Sequence, residues 1–558
     1  MSGDRRSFSG LTTAILAAGL SGMVSSALMA GGVPALQPKP GDPLPGLTPA
    51  ELALFEAGKT LYSTPLAPED GLGPIFNKAG CFSCHAVPLG GWGSISVTRF
   101  GFEDKEGNFN GLDELGGSLL QLSAISEACA ETIPPEANVQ GIRVTNSVLA
   151  FGLVEAIPDA AIAANADEGD LNGDGISGRV RWEVPFEGGR AKVGRFGWKA
   201  QVPTVLTFSA DASLNEMGLT NRFIPHENAP NGDAGVLASC DTIPDPEDGP
   251  DAQGYDFIDR VTHFQRYLGA PPQTPKSGMS GEVVFNAIGC AKCHIAEWTT
   301  AKNPRLEAAI RNKTIRPYSD FLLHEMSSNA DGIADGFASG AEFRTPTLWN
   351  LRTRDPMLHN GLAAGGSFEA RVVTAIEAHG PFGEGAASAD AFANLTTNEQ
   401  EQLIAFLGSL GRLEFDMDGD NQINYADLVE LTEVYGSTGI TPDDPWAVGD
   451  IDQDGDIDLT DALAFDVAFP GDTTDCNNNG IADIADIVMG TSLDADQNGL
   501  PDECVPCPAD LSGDGNVDGA DLATLLGGWG GSQFDLTGDS IVDGADLGAL
   551  LGAWGQCQ

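Results

Sequence analysis

The stretch Cys-Phe-Ser-Cys-His at residues 81–85 recurs as Cys-Ala-Lys-Cys-His at residues 290–294. Two thiols three positions apart can add to the two vinyl groups of one porphyrin, and the adjacent histidine then reaches the iron from the same side. We therefore expect two covalently bound haem c groups. Their attachment residues are Cys81, Cys84 and His85 for one haem and Cys290, Cys293 and His294 for the other.

The two motifs belong to an internal repeat. Phe-Asn-x-x-Gly precedes the first cysteine of each, and helix-like segments at residues 48–62 and 280–286 lie upstream. A single motif could arise by chance or be half of a zinc site, but zinc requires two Cys-x-x-Cys pairs close together. The pattern predicts a mostly α fold with tandem cytochrome c-like haem domains at residues 48–275 and 276–413, followed by small calcium-loop helical repeats.

Charge divides the 558-residue chain into two parts. Eighty acidic and 29 basic residues give a net charge of -51, which argues against nucleic acid as a partner and disfavours an anionic membrane surface. From residue 416 onward there are 28 Asp and 3 Glu but no Lys or Arg. The boundary near residue 415 separates the haem domains from a strongly acidic tail.

The N-terminus has the pattern of a secretory signal peptide. Arg5 and Arg6 precede a weakly apolar run that ends in small residues, with cleavage expected after Ala27 or Ala30. An uncleaved anchor is the alternative. We assign residues 1–30 to the signal peptide and 31–47 to a proline-rich linker, and no later run is apolar enough to span a bilayer. The expected location is therefore periplasmic, extracellular or cell-surface.

Six cysteines lie outside the haem motifs. In an oxidising compartment they would pair, and Cys129–Cys240 is the expected bridge in the first large region. Two more bridges are expected in the tail, whose connectivity the spacing leaves open. The tail cysteines are Cys476, Cys504, Cys507 and Cys557.

The acidic tail repeats one pattern four times, with oxygen-bearing side chains at loop positions 1, 3, 5 and 12 and an apolar residue at position 8. Alternating oxygens of this kind are typical of calcium loops, although helical EF-hands place Glu at position 12. Two loops form a first loop pair at residues 416–465, and two form a C-terminal loop pair at residues 510–558. The predicted ligands are Asp416, Asp418, Asp420 and Asp427; Asp450, Asp452, Asp454 and Asp461; Asp510, Ser512, Asp514 and Asp521; and Asp535, Thr537, Asp539 and Asp546.

These loops, each followed by a short helix, resemble dockerin type I repeats. The segment at residues 475–505 resembles thrombospondin type 3 calcium repeats, through Asp-Cys-Asn-Asn-Asn-Gly and Asp-Ala-Asp-Gln-Asn-Gly. The resemblance implies bound Ca²⁺ and a cohesin-like docking partner. A generic solvated acidic tail is the alternative, and the regular spacing argues against it.

The second haem region resembles bacterial di-haem cytochrome c peroxidases through Arg-Thr-Pro-Thr-Leu-Trp-Asn at residues 344–350 and Pro-Met-Leu-His-Asn-Gly at 356–361. In that family a methionine in the second motif ligates the electron-transfer haem. Leu358 occupies that position in this chain. Met357, His359 and Met326 therefore remain the alternatives for the sixth ligand.

Five further stretches are similar to the di-haem oxidoreductase family, whose members are described as peroxidases and in some cases as thiol oxidoreductases. They cover roughly residues 45–413 as a set. The remaining Cys-x-x-Cys, at residues 504–507, lies far away in the acidic tail, where a structural bridge is its expected role. The five stretches similar to the di-haem oxidoreductase family are residues 133–138, 155–160, 194–201, 216–218 and 322–326.

Peroxidase chemistry needs an acid/base group near an open iron and a polar group that stabilises the departing oxygen. Glu216 is the candidate acid/base, with Arg195, Lys199 and Gln201 as polar partners. Structural ion pairs are the alternative for each. Trp92 or Trp198 could lie between the haems, although core packing is the ordinary role of a tryptophan.

A shorter calcium-type pattern occurs within the haem region. Asp170, Asn172 and Asp174 alternate as in the front half of a calcium loop, and a glycine follows at the turn. A calcium site between the haem domains would suit the peroxidase resemblance. An Asx-rich turn without a metal is the alternative.

The leading interpretation is an exported di-haem c-type oxidoreductase that reduces peroxide with electrons from an unidentified donor. Two alternatives are open. One is an electron-transfer cytochrome that has two six-coordinate irons and no catalytic substrate. The other is a surface-anchoring protein whose role is set by its calcium-binding tail.

Overall fold

A computed structural model describes residues 33–470, 475–494, 499–504, 507–512 and 514–556. Three predictions fall outside these residues: the signal peptide, residues 495–498 of the thrombospondin type 3-like segment, and Cys557. No helix in the described ranges has the length and apolar character needed to cross a membrane.

Helices dominate the regular structure, as the repeat predicted. The helices of the first haem domain are α1 (Pro49–Tyr62), α2 (Phe151–Glu155), α3 (Asp159–Ala163), α4 (Val205–Met217), α5 (Ala234–Cys240) and α6 (Phe257–Tyr267). Those of the second are α7 (Ser280–Ala287), α8 (Phe368–Glu377), α9 (Ala386–Ala393) and α10 (Thr397–Ser409). The tail contains α11 (Tyr425–Val434), α12 (Leu459–Ala468), α13 (Asp483–Val488), α14 (Gly519–Gly527) and α15 (Gly544–Gly552).

The strands are short, and most form isolated antiparallel pairs. The exception is a four-stranded sheet in which β2 pairs with β3, β4 and β6. The strands are β1 (Ile75–Phe76), β2 (Ser96–Glu103), β3 (Phe109–Asn110), β4 (Leu119–Leu120), β5 (Ser123–Ala124), β6 (Val139–Val144), β7 (Trp182–Glu183), β8 (Lys192–Val193), β9 (Trp298–Thr299), β10 (Thr314–Ile315), β11 (Leu323–Glu325), β12 (Glu342–Arg344), β13 (Asn516–Val517) and β14 (Gly555–Gln556).

The two haem domains share one helix crossing. In each domain the helix before the haem motif packs against the last helix of the domain, α1 on α6 and α7 on α10. A glycine allows the close approach in both cases. A Cβ on Gly58 would overlap the Arg260 carbonyl oxygen, and a Cβ on Gly281 would overlap that of Gln402. The repeat seen in the sequence is therefore also a repeat in packing.

The helix starts follow from local capping. Thr48 accepts a hydrogen bond from the Glu51 backbone N–H, and the Glu51 side chain accepts one from the Thr48 N–H, which forms a capping box before α1. The start of α7 is different, because Asp443 of the first loop pair accepts from the Ser280 backbone N–H at 2.9 Å. The acidic tail thus contacts the second haem domain at the helix that leads to its haem motif.

The buried apolar side chains form several cores. The first haem core includes Phe55 and Phe264 but also takes in Trp298 and Trp349, so it extends past the boundary placed at residue 275. The second haem domain and the first loop pair have cores of their own, and the latter includes α13. A smaller core forms between the helices of the C-terminal loop pair.

Candidate functional site: two adjoining cavities

The first cavity lies beside Cys81, Cys84 and His85 and encloses about 1190 Å³ together with its open mouth. His85 Nδ1 donates a hydrogen bond to the Gly91 carbonyl oxygen at 3.1 Å, which leaves Nε2 available for an iron. Burial lowers the pKa of His85 to about 4. The imidazole is therefore neutral at physiological pH, as metal ligation requires.

The second cavity lies beside Cys290, Cys293 and His294 and encloses about 1320 Å³ with its mouth. His294 Nδ1 donates to the Tyr318 carbonyl oxygen at 2.9 Å. Burial lowers the pKa of His294 to about 4. Both motifs thus present a neutral histidine, oriented by a backbone carbonyl, to a large cavity.

The four motif cysteines are not in disulfides. Burial is the main cause that raises the pKa of Cys81 to about 12, that of Cys84 to about 11 and that of Cys290 to about 12. Burial also raises the pKa of Cys293. The two Cys-x-x-Cys pairs line separate cavities, whereas a structural zinc site commonly joins two such pairs, so the donor sets fit haem attachment better than zinc.

The second cavity also fits the carboxylates of a porphyrin. Arg344 and Arg354 both line it. Arg354 is 2% exposed, and its Nε and Nη2 atoms have no hydrogen-bond partner. Burial and the neighbouring Arg344 lower the pKa of Arg354. Unfilled guanidinium donors beside a cavity of this size suit a ligand that carries anionic groups.

The three alternatives for the sixth iron ligand, Met326, Met357 and His359, all line the second cavity. The His359 ring stacks on Phe343 with 3.7 Å between ring centroids. Its Nε2 atom is buried and has no hydrogen-bond partner, and burial lowers its pKa to about 3. His359 thus carries a neutral, unpaired nitrogen at the wall of this cavity, and Leu358 lies beside it.

The first cavity contains the predicted acid/base residue. Glu216 lines it, and its Oε2 atom accepts a hydrogen bond from Asn77 Nδ2 at 2.7 Å. Burial raises the pKa of Glu216, although the Asn77 hydrogen bond and Arg99 oppose the shift. A carboxyl whose pKa is displaced toward neutrality is better suited to give and take protons at physiological pH.

The predicted polar partners of Glu216 have different positions. Gln201 lines the same cavity, and its Oε1 atom accepts from the Lys199 backbone N–H at 3.2 Å. The Lys199 ammonium donates to the Ser339 carbonyl at 2.8 Å. Arg195 donates to backbone carbonyls between residues 154 and 157 and pairs with an aspartate. Among the residues that the structure describes, Gln201 reaches the Glu216 cavity, whereas the Arg195 and Lys199 head groups have backbone partners elsewhere.

Further ionisable side chains line the first cavity, and no sequence motif pointed to Arg99 and Asp211 among them. Arg99 lies on β2, and its Nε atom has no hydrogen-bond partner. Asp211 lies on α4, and burial raises its pKa to about 6. Single charged residues in a strand and a helix look like surface residues in a sequence, so only the assembled fold places them beside Glu216.

Trp198 lines both cavities. Its Nε1 atom donates to the Val144 carbonyl oxygen at 2.9 Å, which fixes the indole ring. Trp92 packs in the same buried cluster, and the Arg354 guanidinium carbon lies 3.2 Å from its ring centroid and 5.4 Å from that of Trp198. Of the two tryptophans considered from the sequence, Trp198 is the one that forms a wall common to both cavities.

The short acidic pattern in the haem region forms a turn. Asp170 Oδ1 and Asn172 Oδ1 both accept from the Asp174 backbone N–H at 2.9 Å. Asp174 also pairs with Lys292 of the second haem motif at 3.1 Å. These hydrogen bonds have the form of the Asx-rich turn, and calcium at Asp170, Asn172 and Asp174 stays a prediction.

The four tail loops share one geometry. The aspartate at position 12 of each accepts hydrogen bonds from backbone N–H groups at the start of its loop and at position 9. A helix follows each loop, as predicted, and the position-8 residue is buried in all four. The position-12 residues are Asp427, Asp461, Asp521 and Asp546; the position-8 residues are Ile423, Ile457, Val517 and Val542.

The disulfide prediction for the first region is confirmed, because Cys129 and Cys240 are bonded with Cα atoms 6.0 Å apart. In the tail, Cys476 bonds to Cys504, and Cys507 is also disulfide-bonded. The Cys-x-x-Cys pair at residues 504–507 is therefore divided between separate bridges. Its sulfur atoms have the structural role expected from the sequence.

Two adjoining cavities, each with a Cys-x-x-Cys-His motif, define a di-haem redox protein. A family model described as "Di-haem oxidoreductase, putative peroxidase" matches residues 123–410, which is more than half of the chain. The chain belongs to this family of di-haem redox enzymes, and haem is its cofactor. No curated protein sequence matches the chain.

Two solved structures show similarity at low identity. Hydrazine synthase of Kuenenia stuttgartiensis, pressurised with 20 bar xenon, is 12% identical, with 73% of this chain and 100% of that chain covered and a TM-score of 0.29. A MauG-like protein associated with microbial copper homeostasis is 15% identical, with 68% of this chain and 94% of that chain covered and a TM-score of 0.30.

Proposed function

We propose that the protein is an exported di-haem peroxidase in which both haems are covalently attached. It would reduce peroxide at the first cavity with electrons that enter at the second. The reaction breaks the O–O bond and consumes two electrons and two protons per peroxide to give two waters. The electrons come from an external one-electron donor. When bound, the haem irons supply the peroxide-binding site and the electron-transfer centre.

One contrast supports this division of roles. The first cavity carries a buried carboxyl group, Glu216, held by Asn77, and one methionine, Met217. The second cavity is lined by two methionines and by three histidines besides that of the haem motif, and its carboxyl group, Glu384, is hydrogen-bonded to one of these histidines, His324. An iron with a second strong ligand transfers electrons, and an iron with a free position can bind peroxide. The first cavity is therefore the site of peroxide reduction, and electrons enter at the second cavity.

The residues of the first cavity have separate tasks. Glu216 takes a proton from peroxide and returns it to the departing oxygen, and the Asn77 hydrogen bond orients its carboxyl group. Gln201 offers a polar group to the same space, and Arg99 adds a positive charge there. Trp198, at the wall of both cavities, lies on the path of electrons between them.

Substitution of Glu216 tests the peroxidase proposal. Glu216→Gln should lower the rate of peroxide reduction by about 10²–10⁴-fold, the usual range for a lost acid/base group, while both haem spectra stay nearly unchanged. Glu106→Gln, at an exposed carboxylate of the same domain, is the matched control. An unaltered rate in Glu216→Gln would remove this residue from the mechanism.

Electron transfer without a substrate is the competing function, and spin state separates the two. A high-spin signal that disappears on peroxide addition would support catalysis at one iron. Two low-spin irons that do not respond to peroxide would support the carrier. Covalent attachment is measured separately, since the denatured chain should exceed its polypeptide mass by two haem masses.

For the tail we propose calcium binding and attachment to a cohesin-like partner. Asp450 is 7% exposed, and its Oδ1 atom has no hydrogen-bond partner. Oxygens from Asp450, Asp452 and Asp461 lie within 4.8 Å of one another, as do those from Asp416, Asp418 and Asp427. Exposed Trp529 and Trp554 occupy equivalent positions in the two C-terminal repeats and would suit a docking face. Calcium-dependent binding to a cohesin domain tests this proposal.

A further inference from the structure

The proposed reaction needs protons that peroxide itself does not supply. When the O–O bond of hydrogen peroxide breaks, the first water takes both of its hydrogens. The second water forms from the remaining oxygen, two electrons and two protons, and these two protons come from solvent. Glu216 moves a proton from one peroxide oxygen to the other, and that exchange leaves the solvent protons without a carrier into the first cavity.

Asp211 is a second carboxyl group in the wall of the first cavity, and the proposed reaction gives it no task. It lies on α4 five positions before Glu216, so one helix brings both carboxyl groups to the cavity. Its Oδ1 atom accepts from Asn215 Nδ2 at 3.0 Å, and Asn215 Oδ1 accepts from Asn228 Nδ2 at 3.2 Å. These hydrogen bonds hold the Asp211 carboxyl group in place on its helix.

The charges around Asp211 form one cluster. Burial raises the pKa of Asp211 to about 6; Arg99 opposes this shift, and Glu216 and Asp335 add to it. Burial and Arg143 lower the pKa of Arg99, and the same three carboxylates oppose that shift. Three carboxyl groups are thus close enough to one guanidinium to act on it together. The lysine and arginine side chains that line this cavity are Lys78, Arg99 and Arg143.

Asp335 provides a connection to solvent. It belongs to the segment between β11 and β12 of the second haem domain, where its side chain is 26% exposed and pairs with Arg181 at 3.2 Å. Glu216 lies toward the haem motif instead, because burial raises the pKa of Cys84 and the Glu216 carboxylate adds to this shift. Asp211 therefore stands between a carboxylate in contact with solvent and the acid/base residue.

We propose that Asp211 carries protons from solvent, on the side of Asp335, to Glu216 while the second water forms. Asp211 takes up one proton and passes one on, so it is unchanged after each transfer, and two transfers serve each peroxide. A carboxyl group that is present in both protonation states near neutral pH is suited to this exchange. Asp211 acts through Glu216 and does not contact peroxide. The proposal rests on the peroxidase function and adds the route of its protons.

Transient kinetics of the holoprotein separates the two waters. Hydrogen peroxide alone starts O–O cleavage, and ferrocyanide added afterwards supplies the electrons for the second water. Asp211→Asn should leave the first change in haem absorbance unaltered, because peroxide brings those protons. It should slow the second change by about 10²-fold, the lower end of the range for a lost acid/base group. An unaltered second change would overturn the relay, and so would equal slowing of both changes, which indicates a structural role.

Matched variants distinguish a lost proton carrier from a disturbed cavity. Asp211→Glu keeps a carboxyl group and should retain most of the rate of the second change. Formate, a small carboxylic acid, should speed the second change in Asp211→Asn, because it replaces the missing carrier. Asp113→Asn, at an exposed aspartate of the same domain, should match the unaltered protein with and without formate. Failure of both the glutamate and formate to restore the rate would contradict proton delivery by Asp211.

Infrared titration of the protein without peroxide provides a measurement that needs no turnover. Asp211→Asn should lose one carboxyl absorption that titrates near pH 6, and identical titrations of the two proteins would remove Asp211 from the route. Glu216→Gln separates the two proposals, since it should slow the first change in haem absorbance. If Glu216→Gln slows that change and Asp211→Asn slows neither, the relay fails while the peroxidase function stands. A protein that consumes no peroxide would overturn both.

Discussion

The first loop pair and the C-terminal loop pair have the same sequence pattern but differ in their surroundings. The first pair shares a core with α13. Two side chains of the second haem domain also bind it. Arg352 Nη2 donates to the Gly419 carbonyl at 2.6 Å, and Lys276 Nζ donates to the Ile451 carbonyl at 3.0 Å. The side-chain hydrogen bonds described for the C-terminal loops run within that pair, around a smaller core. One ligand pattern can therefore serve either as part of a larger fold or as a nearly separate unit.

The pKa values of the position-12 aspartates also differ between the two pairs. Burial raises the pKa of Asp461 to about 7 in the first pair, whereas backbone hydrogen bonds lower the pKa of Asp546 to about 2 in the C-terminal pair. The position-12 aspartates are covered in both pairs, but Asp461 lies against a larger apolar core than Asp546 does. The free-energy cost of ionising a position-12 aspartate therefore depends on the surrounding packing rather than on the ligand pattern.

Calcium removal should separate the pairs most strongly. In chelator the C-terminal pair should unfold and become sensitive to protease, because its small core cannot offset the repulsion among its carboxylates. The first pair should stay protected by its larger core and its contacts with the haem domains. Limited proteolysis with mass mapping checks this, and simultaneous digestion of both pairs would remove the distinction.

Truncation gives the next largest effect. A chain that ends at residue 414 loses several hydrogen bonds between the haem domains and the first pair. At about 1 kcal/mol each, this loss should lower the melting temperature of the haem domains by on the order of 10 °C. A chain that ends at residue 504 is the control and should melt almost as the full chain does. Equal melting of the two truncated chains would show that the first pair is also dispensable.

A single contact can be tested in the same way. Arg352→Gln removes donors to the Gly419 carbonyl and to Asn421 Oδ1, of which the first hydrogen bond is part-buried and the second exposed. The loss should cost about 1–2 kcal/mol. Arg305→Gln, at an exposed arginine of the same domain, should change stability by less than about 0.5 kcal/mol. Denaturant unfolding followed at the haem absorbance measures both, and equal values would contradict a role for Arg352.

The smallest expected effect is in the pH dependence of the calcium-free protein. The pKa of Asp461 is higher in the folded state than in an unfolded chain, about 7 against about 3.9. Its stabilising contribution is therefore full below about pH 4 and is lost as the pH rises through 7.

Hydrogen exchange of calcium-free protein at pH 8 and pH 5.5, corrected for intrinsic rates, measures this difference. Peptides from α12 should be better protected at pH 5.5, while peptides from α15 should be unprotected at both pH values because the C-terminal pair is unfolded without calcium. Protection of α12 that is lost on acidification would reverse the predicted sign.

Local patterns in the sequence predicted much of this structure. The haem motifs, the helices before them, the helices after the tail loops and the Cys129–Cys240 bridge all depend on short spacings or simple pairing. Glu216, which the sequence offers only as a candidate acid/base, lines the cavity beside the first haem motif. In each case neighbours in sequence or a known motif carried the information.

Other features depend on contacts between distant segments. Arg195 precedes Trp198 by three residues and looked like a site residue, but its guanidinium lies against backbone carbonyls. Arg99 and Arg354 reach the cavities from separate elements that carry no motif. The composition boundary near residue 415 also divides the sequence at a place where the folded chain has a continuous interface.

The contact between Gln37 and Glu414 has a consequence for how the chain is made. The Gln37 backbone N–H donates to Glu414 Oε2 at 2.7 Å, and its side-chain amide donates to Glu414 Oε1 at 2.9 Å, across 377 positions of sequence. During synthesis residue 37 emerges first and has no partner until both haem domains have followed. Closing so long a loop is entropically costly, so this contact forms late. The N-terminal segment would therefore remain unattached to the rest of the chain until both haem domains have folded.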